Sequence, residues 1–418
     1  MSKVTKDKVV RVPQLAWFEN NELELSFPSS WDVNVCYMKG HHRPHISEKA
    51  IREAFANPIG TKRIREAARG KKEVAILFDD MTRPTKVAEI VPYVLEELEA
   101  AGVKDKSIRF IAALAAHGAL TRLDFVKKLG ESVVRRFRVY NHNCYDNCTF
   151  IGNTSRGTPL HINTEFMNCD FKIGIGSIVP HPLAGFAGGG KIILPGVASM
   201  ESILANHATL SINAITRGED PKTGVGTFEE NQVRLDMTEA ARMAGLDIKI
   251  DAVVNGKGET TALLVGDVEK AHIEGVKLAR EVYITEPIAA QDIAVLNTYC
   301  KANEACYATF MVPQLLPDCG GDLVIIANAP DGQVVHYLAG VGGKQQFPKT
   351  TLPEKVNRLI VLTPYIDIAG GDWFGPPESI VWAKTWPEVL DRLTEIHGEK
   401  AKVAVVPDAT IQYFPLGQ

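Results

Sequence analysis

Three stretches of this chain gather residues whose types and spacing can do chemistry. The first is Asp79-Asp80-Met81-Thr82-Arg83-Pro84-Thr85, directly after the apolar run Glu73 to Phe78. Pro84 fixes its own φ and disfavours helix at Arg83, so the loop stays extended before the next element begins. Thr82 or Thr85 is placed to cap a following helix, whose free N–H groups attract an anion. Arg83 adds a planar fork suited to phosphate or carboxylate. Taken alone, the stretch also fits a capped strand-to-helix turn with a surface ion pair.

The second stretch runs from Ile178 to Gly196 and contains Pro180-His181-Pro182 and Gly188-Gly189-Gly190-Lys191. Glycine permits unusual φ and close approach while proline removes freedom, so this composition specifies a backbone path. Gly185-x-x-x-x-Gly190-Lys191 matches the opening of a phosphate-binding P-loop. Ile192 then stands where a Ser or Thr would ligate Mg²⁺, and Pro195 interrupts the helix such a loop requires. Lys191 among glycines and apolar residues is a candidate nucleophilic amine, since desolvation disfavours its charged form; a surface-loop lysine is the plain alternative. His181, between two prolines, is rigidly presented, for catalysis or for turn packing.

The third is His207, in the helical run Glu201 to Ala208. It has no histidine partner four residues away and no HExxH motif, so the protein alone does not build a metal site here. One imidazole is enough to complete the coordination of a metal already held by an organic cofactor, and nickel accepts imidazole in square-planar geometry. Two other clusters, Cys36 with His41, His42 and His45, and His142 with Cys144 and Cys148, lack the paired spacing of a zinc site.

The elements that position these residues follow an α/β pattern. Short β-rich runs alternate with amphipathic helical runs, which predicts layers around mainly parallel sheets. Strands are expected at Glu73–Phe78, Ser107–Leu114 and Phe171–Ile178, and a helix over Lys86–Ala101 with Val87, Ile90, Val91, Val94 and Leu95 on one face. The candidate residues therefore fall just beyond the carboxyl ends of strands, where open α/β sheets bind ligands. A helix over Asp267–Val282 precedes Glu286-Pro287, and a new series of strands begins at Asp292. Two α/β domains are expected, residues 1–285 and 286–406, with the active site in the cleft between them. Residues 407–418 are expected to form a tail returning to the first domain.

With 418 residues, 45% hydrophobic and 23% charged, the chain has the composition of a globular protein able to bury a core without disulfides. A net charge of −4 and the absence of a basic run argue against a nucleic-acid partner. No apolar run reaches bilayer length, and the first residues lack the apolar segment of a signal peptide. Seven cysteines at irregular spacing fit reduced thiols, hence a cytoplasmic protein.

Together, the Asp79–Thr85 loop, His117 after a strand, PHPLAGFAGGGK followed by LPG, the Asn206-His207 pair and GGDWFGP at 370–376 resemble the nickel-dependent lactate racemase family. The resemblance covers most of the chain, and the PHPLAGFAGGGK block is its most specific part. It implies a nickel-pincer nucleotide, nickel pyridinium-3,5-bisthiocarboxylic acid mononucleotide, in which sulfurs and a ring carbon grip the metal. Lys191 would carry it through a thioamide and His207 would complete the nickel coordination. Asp80, Met81, Thr82 and Arg83 would line the cofactor and substrate, and His117 and His181 would be the acid–base residues on opposite faces of the substrate. The implied activity is a racemase or epimerase inverting the C2 carbinol of a 2-hydroxycarboxylic acid by proton-coupled hydride transfer. Cofactor biosynthesis proteins are the implied partners. Lactate-specific members carry a Tyr-Gln pair and a downstream Lys for substrate; here Tyr299-Cys300-Lys301 departs from that pattern, so the 2-hydroxyacid stays open among lactate, malate, longer, aromatic and sugar acids. Trp373 is the candidate pocket wall, or equally a core or turn residue. Two other function classes are a protein that binds or stores the nickel cofactor without turnover, and a phosphoryl-transfer enzyme using the Gly-rich loop. The presence of both His117 and His181 favours catalysis, and Ile192 disfavours phosphoryl transfer.

Overall fold

Glu73–Asp79 is so apolar and β-branched that it can serve only as an interior strand, buried on both faces by covering helices. In the computed structural model, which describes residues 8–207, 222–338, 343 and 351–415, Val74–Asp79 is the fully buried strand at the centre of a six-stranded sheet. The order across that sheet is Thr260–Gly266, Ile248–Val254, Phe171–Ser177, Val74–Asp79, Ile108–Ala113 and Arg138–Asn141. Every neighbouring pair is parallel except the edge pair Ile248–Val254 with Thr260–Gly266.

Side chains alternate across the central strand as the two-residue period demands. Val74, Ile76 and Phe78 join one apolar cluster with Val87, Ile90, Val91, Val94 and Leu98 of the Val87–Ala100 helix. Ala75 and Leu77 face a second cluster with Ile192, Ile193 and Leu194 after the glycines and with Val233 and Met237 of the Gln232–Met243 helix. The strands expected near residues 73–78, 107–114 and 171–178 and the helix over 86–101 form with shifts of one or two residues at their ends.

A second six-stranded sheet is parallel throughout, in the order Ile380–Ala383, Val356–Leu362, Gly321–Ile326, Ile293–Asn297, Lys402–Val406 and Asp32–Val35. Here too alternate residues serve opposite faces: Ala294 and Leu296 join one apolar cluster, Ile293 and Val295 another.

The chain divides into two compact units. One comprises residues 42–282 with residues 336–338; the other comprises the residues up to His41, Tyr283–Val335 and those from Ala339 onward. This corrects two expectations. Residues 8–41 do not group with residues 42–282, because Asp32–Val35 adds a parallel edge strand to Lys402–Val406. Nor do residues 407–415 leave their own unit: Ala409 and Phe414 sit in its core, and the Gln412 amide donates to the Cys36 carbonyl at 2.8 Å.

Candidate active site

The loop after the central strand is organised by a lysine from elsewhere. Lys128, fully buried on the Arg122–Leu129 helix, pairs with Asp79 Oδ1 at 2.9 Å and donates to the carbonyls of Asp80 at 2.7 Å and Arg83 at 2.9 Å. One ammonium thus ties both ends of the loop. Burial pushes the Asp79 carboxyl up and the Lys128 amine down, each opposed by the other's charge. The threonines do not cap the next helix. Thr85 instead donates to Asp79 and Thr82 to Asp80, and the Val87–Ala100 helix begins at Lys86 without a side-chain cap. The buried carboxylates hold both hydroxyls because a buried carboxylate oxygen left short of donors is costly.

Asp80 is the pivot of the site. Its Oδ1 accepts from the Thr82 N–H at 2.9 Å and hydroxyl at 2.5 Å, and its Oδ2 lies 2.5 Å from His117 Nδ1. Burial opposes its charge, but His117, Arg83 and the Thr82 hydroxyl outweigh that and hold the carboxyl well below the usual carboxylate range. An ionised acid can only accept, so Nδ1 of His117 carries the proton and Nε2 is the basic position of the neutral ring. His117 lies in the turn after Ile108–Ala113, fixed by Ala115 N–H to the Gly196 carbonyl at 2.9 Å. That bond joins the turn to the glycine-rich segment.

A histidine that the sequence reading passed over stands beside it. His336 forms a backbone bridge with His117, and the two rings meet edge to face at 4.9 Å between centroids. Sequence separation hid this contact, since nothing in the local pattern around 336 marks it.

The glycine-rich segment folds as its composition requires. Pro180-His181 pairs antiparallel with Gly185-Phe186, and the buried His181 ring closes the turn, its Nδ1 accepting from the N–H groups of Leu183 and Ala184, each at 3.2 Å. A neutral His181 therefore carries its proton on Nε2. Gly185 (φ +72°) lies against the Thr227 backbone so closely that any Cβ would overlap it, and a Cβ at Gly190 would strike the Met237 carbonyl. After the glycines comes only a four-residue 3₁₀ turn, Gly189–Ile192, in place of the helix that a P-loop needs at its phosphates. Lys191 is half-buried in this turn, its N–H donating to the Gly188 carbonyl at 3.1 Å.

His207 lies in a π turn, described over residues 204–207, that follows the short helix Met200–Ile203. Its ring is buried and its basicity is pushed well below the ordinary histidine value, first by burial and then by the charges of Lys191, His336, His117 and Arg83. Those causes name the company it keeps: Arg83, His117, Lys191, His207 and His336 share one electrostatic neighbourhood, with Asp80 as counter-charge. A neutral, buried imidazole offers a lone pair suited to a metal. Among the described residues no group of three or more His, Cys, Asp or Glu is placed to hold a metal ion.

In the other unit, Tyr299, Cys300 and Lys301 follow the Ile293–Asn297 strand and are buried. The Cys300 N–H donates to Asp408 Oδ2 at 2.9 Å. Lys301 pairs with Glu304 at 2.8 Å and lies over the Tyr307 ring at 4.1 Å. Trp373 is partly buried after the Ile368–Gly371 turn. Among the described residues, no helix is long and apolar enough to cross a membrane.

Residues 18–218 match the lactate racemase N-terminal domain. The lactate racemase of Thermoanaerobacterium thermosaccharolyticum is 30% identical over 328 residues, 77% of this chain and 74% of that protein. The lactate racemase of Lactiplantibacillus plantarum is 29% identical over 393 residues, 88% and 91% of the two chains. The solved lactate racemase apoprotein from T. thermosaccharolyticum has the same fold, with a TM-score of 0.73 at 24% identity over 98% of this chain and 100% of the other. A Thermotoga maritima protein follows at 0.64 and 18%, over 88% and 98%. The chain belongs to the lactate racemase family and is an isomerase of the racemase type.

Proposed function

We propose that this racemase inverts the C2 carbinol of a 2-hydroxycarboxylic acid by moving hydride and proton separately, with a nickel-pincer nucleotide as cofactor. The observation that carries the reading is the cluster in which the Asp80–His117 dyad, the Lys191 amine and the neutral His207 imidazole share one neighbourhood. Its residues fit such a cofactor. A buried imidazole that, among the described residues, belongs to no group of three His, Cys, Asp or Glu suits a metal that arrives already held by an organic group. Arg83 suits the negative charge of a nucleotide phosphate.

In this reading Lys191 holds the cofactor through its amine, His207 supplies the last nickel ligand, and Asp80, Met81, Thr82 and Arg83 line it. Bound there, the cofactor supplies an electrophilic hydride acceptor. Abstracting C2–H as a proton would place carbanion charge beside a carboxylate; losing it with its electron pair leaves a neutral carbonyl. His117 Nε2 takes the hydroxyl proton as the C2–H bond breaks, and Asp80 offsets the charge the ring gains. When the opposite face of the resulting 2-oxoacid is reduced, His181, doubly protonated after releasing its bonds to Leu183 and Ala184, delivers the Nε2 proton to the oxygen and returns to a neutral ring. Run backward, the two histidines exchange roles. Arg83 engages the substrate carboxylate, and Tyr299, Lys301 and Trp373 complete substrate recognition. Cofactor biosynthesis proteins are its partners. Cys300, where lactate-specific members have Gln, widens the substrate field to malate, longer, aromatic and sugar 2-hydroxyacids beside lactate.

The test is intact-mass and nickel analysis of protein purified from cells able to make the cofactor, with a panel of enantiopure 2-hydroxyacids followed by polarimetry. A mass adduct, nickel in proportion to it, and loss of optical activity with at least one acid are expected. Adduct and nickel with every acid optically stable would instead make the chain a storage protein. ATP hydrolysis without nickel would make it a phosphoryl-transfer enzyme.

A further inference from the structure

Two buried side chains outside the residues discussed so far grip consecutive peptide groups of the loop that carries Lys191. Asp251, on the Ile248–Val254 strand, accepts the Gly189 N–H at 2.9 Å through Oδ2, while its Oδ1 pairs with Lys249 at 2.5 Å. His272, on the Lys270–Tyr283 helix, lies with Nε2 at 2.9 Å from the Ala187 carbonyl. A carbonyl only accepts, so Nε2 is the protonated nitrogen and donates. Asp251, Lys249 and His272 are all at most 2% exposed. Burial keeps His272 neutral, its basicity pushed down to about 4.

The loop is shaped around these two groups. Gly188 and Gly189 have φ of +87° and +52°, and a Cβ on Gly189 would overlap the His272 ring. A Cβ on Gly188 would lie 3.0 Å from Asp251 Oδ1. Phe228 packs edge to face on the imidazole at 5.1 Å. With the carbonyl of 187 and the N–H of 189 both held, the residue between them has little freedom. The Gly188 carbonyl in turn accepts the Lys191 N–H at 3.1 Å.

We propose that Asp251 and His272 are positioning residues that hold the 187–189 backbone and thereby set the direction and reactivity of the Lys191 amine, Lys249 serving to neutralise Asp251. The proposal rests on Lys191 being the working amine of the site. Its test uses the full-length apoprotein, so the two can fail separately. Trace acetylation with acetic anhydride, read by peptide mass spectrometry, gives the labelling rate of Lys191 relative to Lys49, whose side chain is 86% exposed.

Each anchor has a removing and a retaining substitution. His272→Leu loses the donor while His272→Gln keeps one at similar reach. Lys249→Met with Asp251→Leu loses the acceptor, whereas Lys249→Met with Asp251→Asn keeps it without stranding a buried charge. The removing variants should shift the Lys191/Lys49 ratio by about five- to tenfold, the equivalent of one hydrogen bond, and the retaining variants should stay within about twofold of the parent. An unchanged ratio in either removing variant that still melts cooperatively overturns the proposal, as does an equal shift in removing and retaining variants. Should one removing variant fail to fold, the other decides. If the parent shows no Lys191 adduct after cofactor loading, the reading of Lys191 fails while the labelling comparison keeps its meaning.

Discussion

His117 and His181 are gripped through the same ring atom by opposite kinds of partner. Nδ1 of His117 faces the Asp80 carboxylate at 2.5 Å, whereas Nδ1 of His181 accepts two backbone N–H groups at 3.2 Å. The first arrangement leaves the lone pair of the neutral ring on Nε2, with a carboxylate behind the ring. The second presents Nε2–H, and a doubly protonated His181 must first give up its bonds to Leu183 and Ala184. In the proposed reading a reaction that is symmetric in its product would therefore be served by an unsymmetric pair, and the two half-reactions should respond differently to mutation.

The largest effects come from removing the rings. His117→Ala and His181→Ala should each lower racemisation by at least about 10³-fold with nickel retained, while His207→Ala should lose nickel. Metal analysis beside polarimetry separates the three. In a single turnover each of the first two variants should still form 2-oxoacid from one enantiomer, and from opposite ones; both retaining the same enantiomer would dissolve the comparison.

Next comes the carboxylate that only His117 possesses. Asp80→Asn should reduce kcat by about 10²- to 10⁴-fold, the scale on which a histidine loses its orienting acid, with KM little changed. Unaltered kcat would mean that the short contact has no part in proton transfer.

The supports beneath the two histidines also differ. Lys128→Met leaves Asp79 buried without its cation and should cost about 3–5 kcal/mol, read as a lower urea midpoint. A loss below about 1 kcal/mol, the scale of an exposed pair, would show the charge to be solvated.

The smallest effect is acid sensitivity. His142 and His272 are buried with basicity pushed down to about 4, and His207 is lowered as well. In the unfolded chain these rings take up protons near pH 6.5, so between that pH and about 4 the unfolded state binds more protons and stability falls as pH falls. From pH 7 to 5 each of His142 and His272 should withdraw about 1–2 kcal/mol. His142→Gln, which keeps a donor for the Ala198 carbonyl now met by the ring at 2.9 Å, should melt with a correspondingly flatter pH profile. A profile as steep as the parent's would place the acid sensitivity elsewhere.

Much of the frame under these sites is legible in the sequence because apolar periodicity survives folding unchanged. The runs that become Val74–Asp79, Ile108–Ala113 and Phe171–Ser177 announce themselves, as does the Val87–Ala100 helix. What stays hidden is polarity used in the interior. Ile248–Val254 is a fully buried strand, but Lys249 and Asp251 break its apolar run, pairing with each other and holding the Ile250 carbonyl and the glycine loop. Lys128 resembles its neighbour Lys127 on the page; one is fully buried and the other 26% exposed, and only tertiary packing separates them. His336 reaches His117 from more than two hundred residues away, and Asp32–Val35 joins a sheet whose other strands begin at Ile293. Local pattern carries no trace of such pairings. Lys191, His181 and His207 stand out in the sequence as candidates for a different reason: flanking glycines and prolines, or a histidine outside any metal-ligand motif, narrow what each side chain can do.

The most direct test of separate hydride and proton movement is racemisation in D₂O. Cofactor-loaded enzyme is given an enantiopure 2-hydroxyacid that it racemises, and deuterium at C2 is followed by NMR alongside optical rotation. Proton-coupled hydride transfer predicts full racemisation with C2 still bearing protium, because the hydrogen that leaves carbon never meets solvent. Deuterium entering C2 in step with racemisation would mean that a base removes it as a proton, and the account built on His117 and His181 as hydroxyl-proton carriers would be wrong.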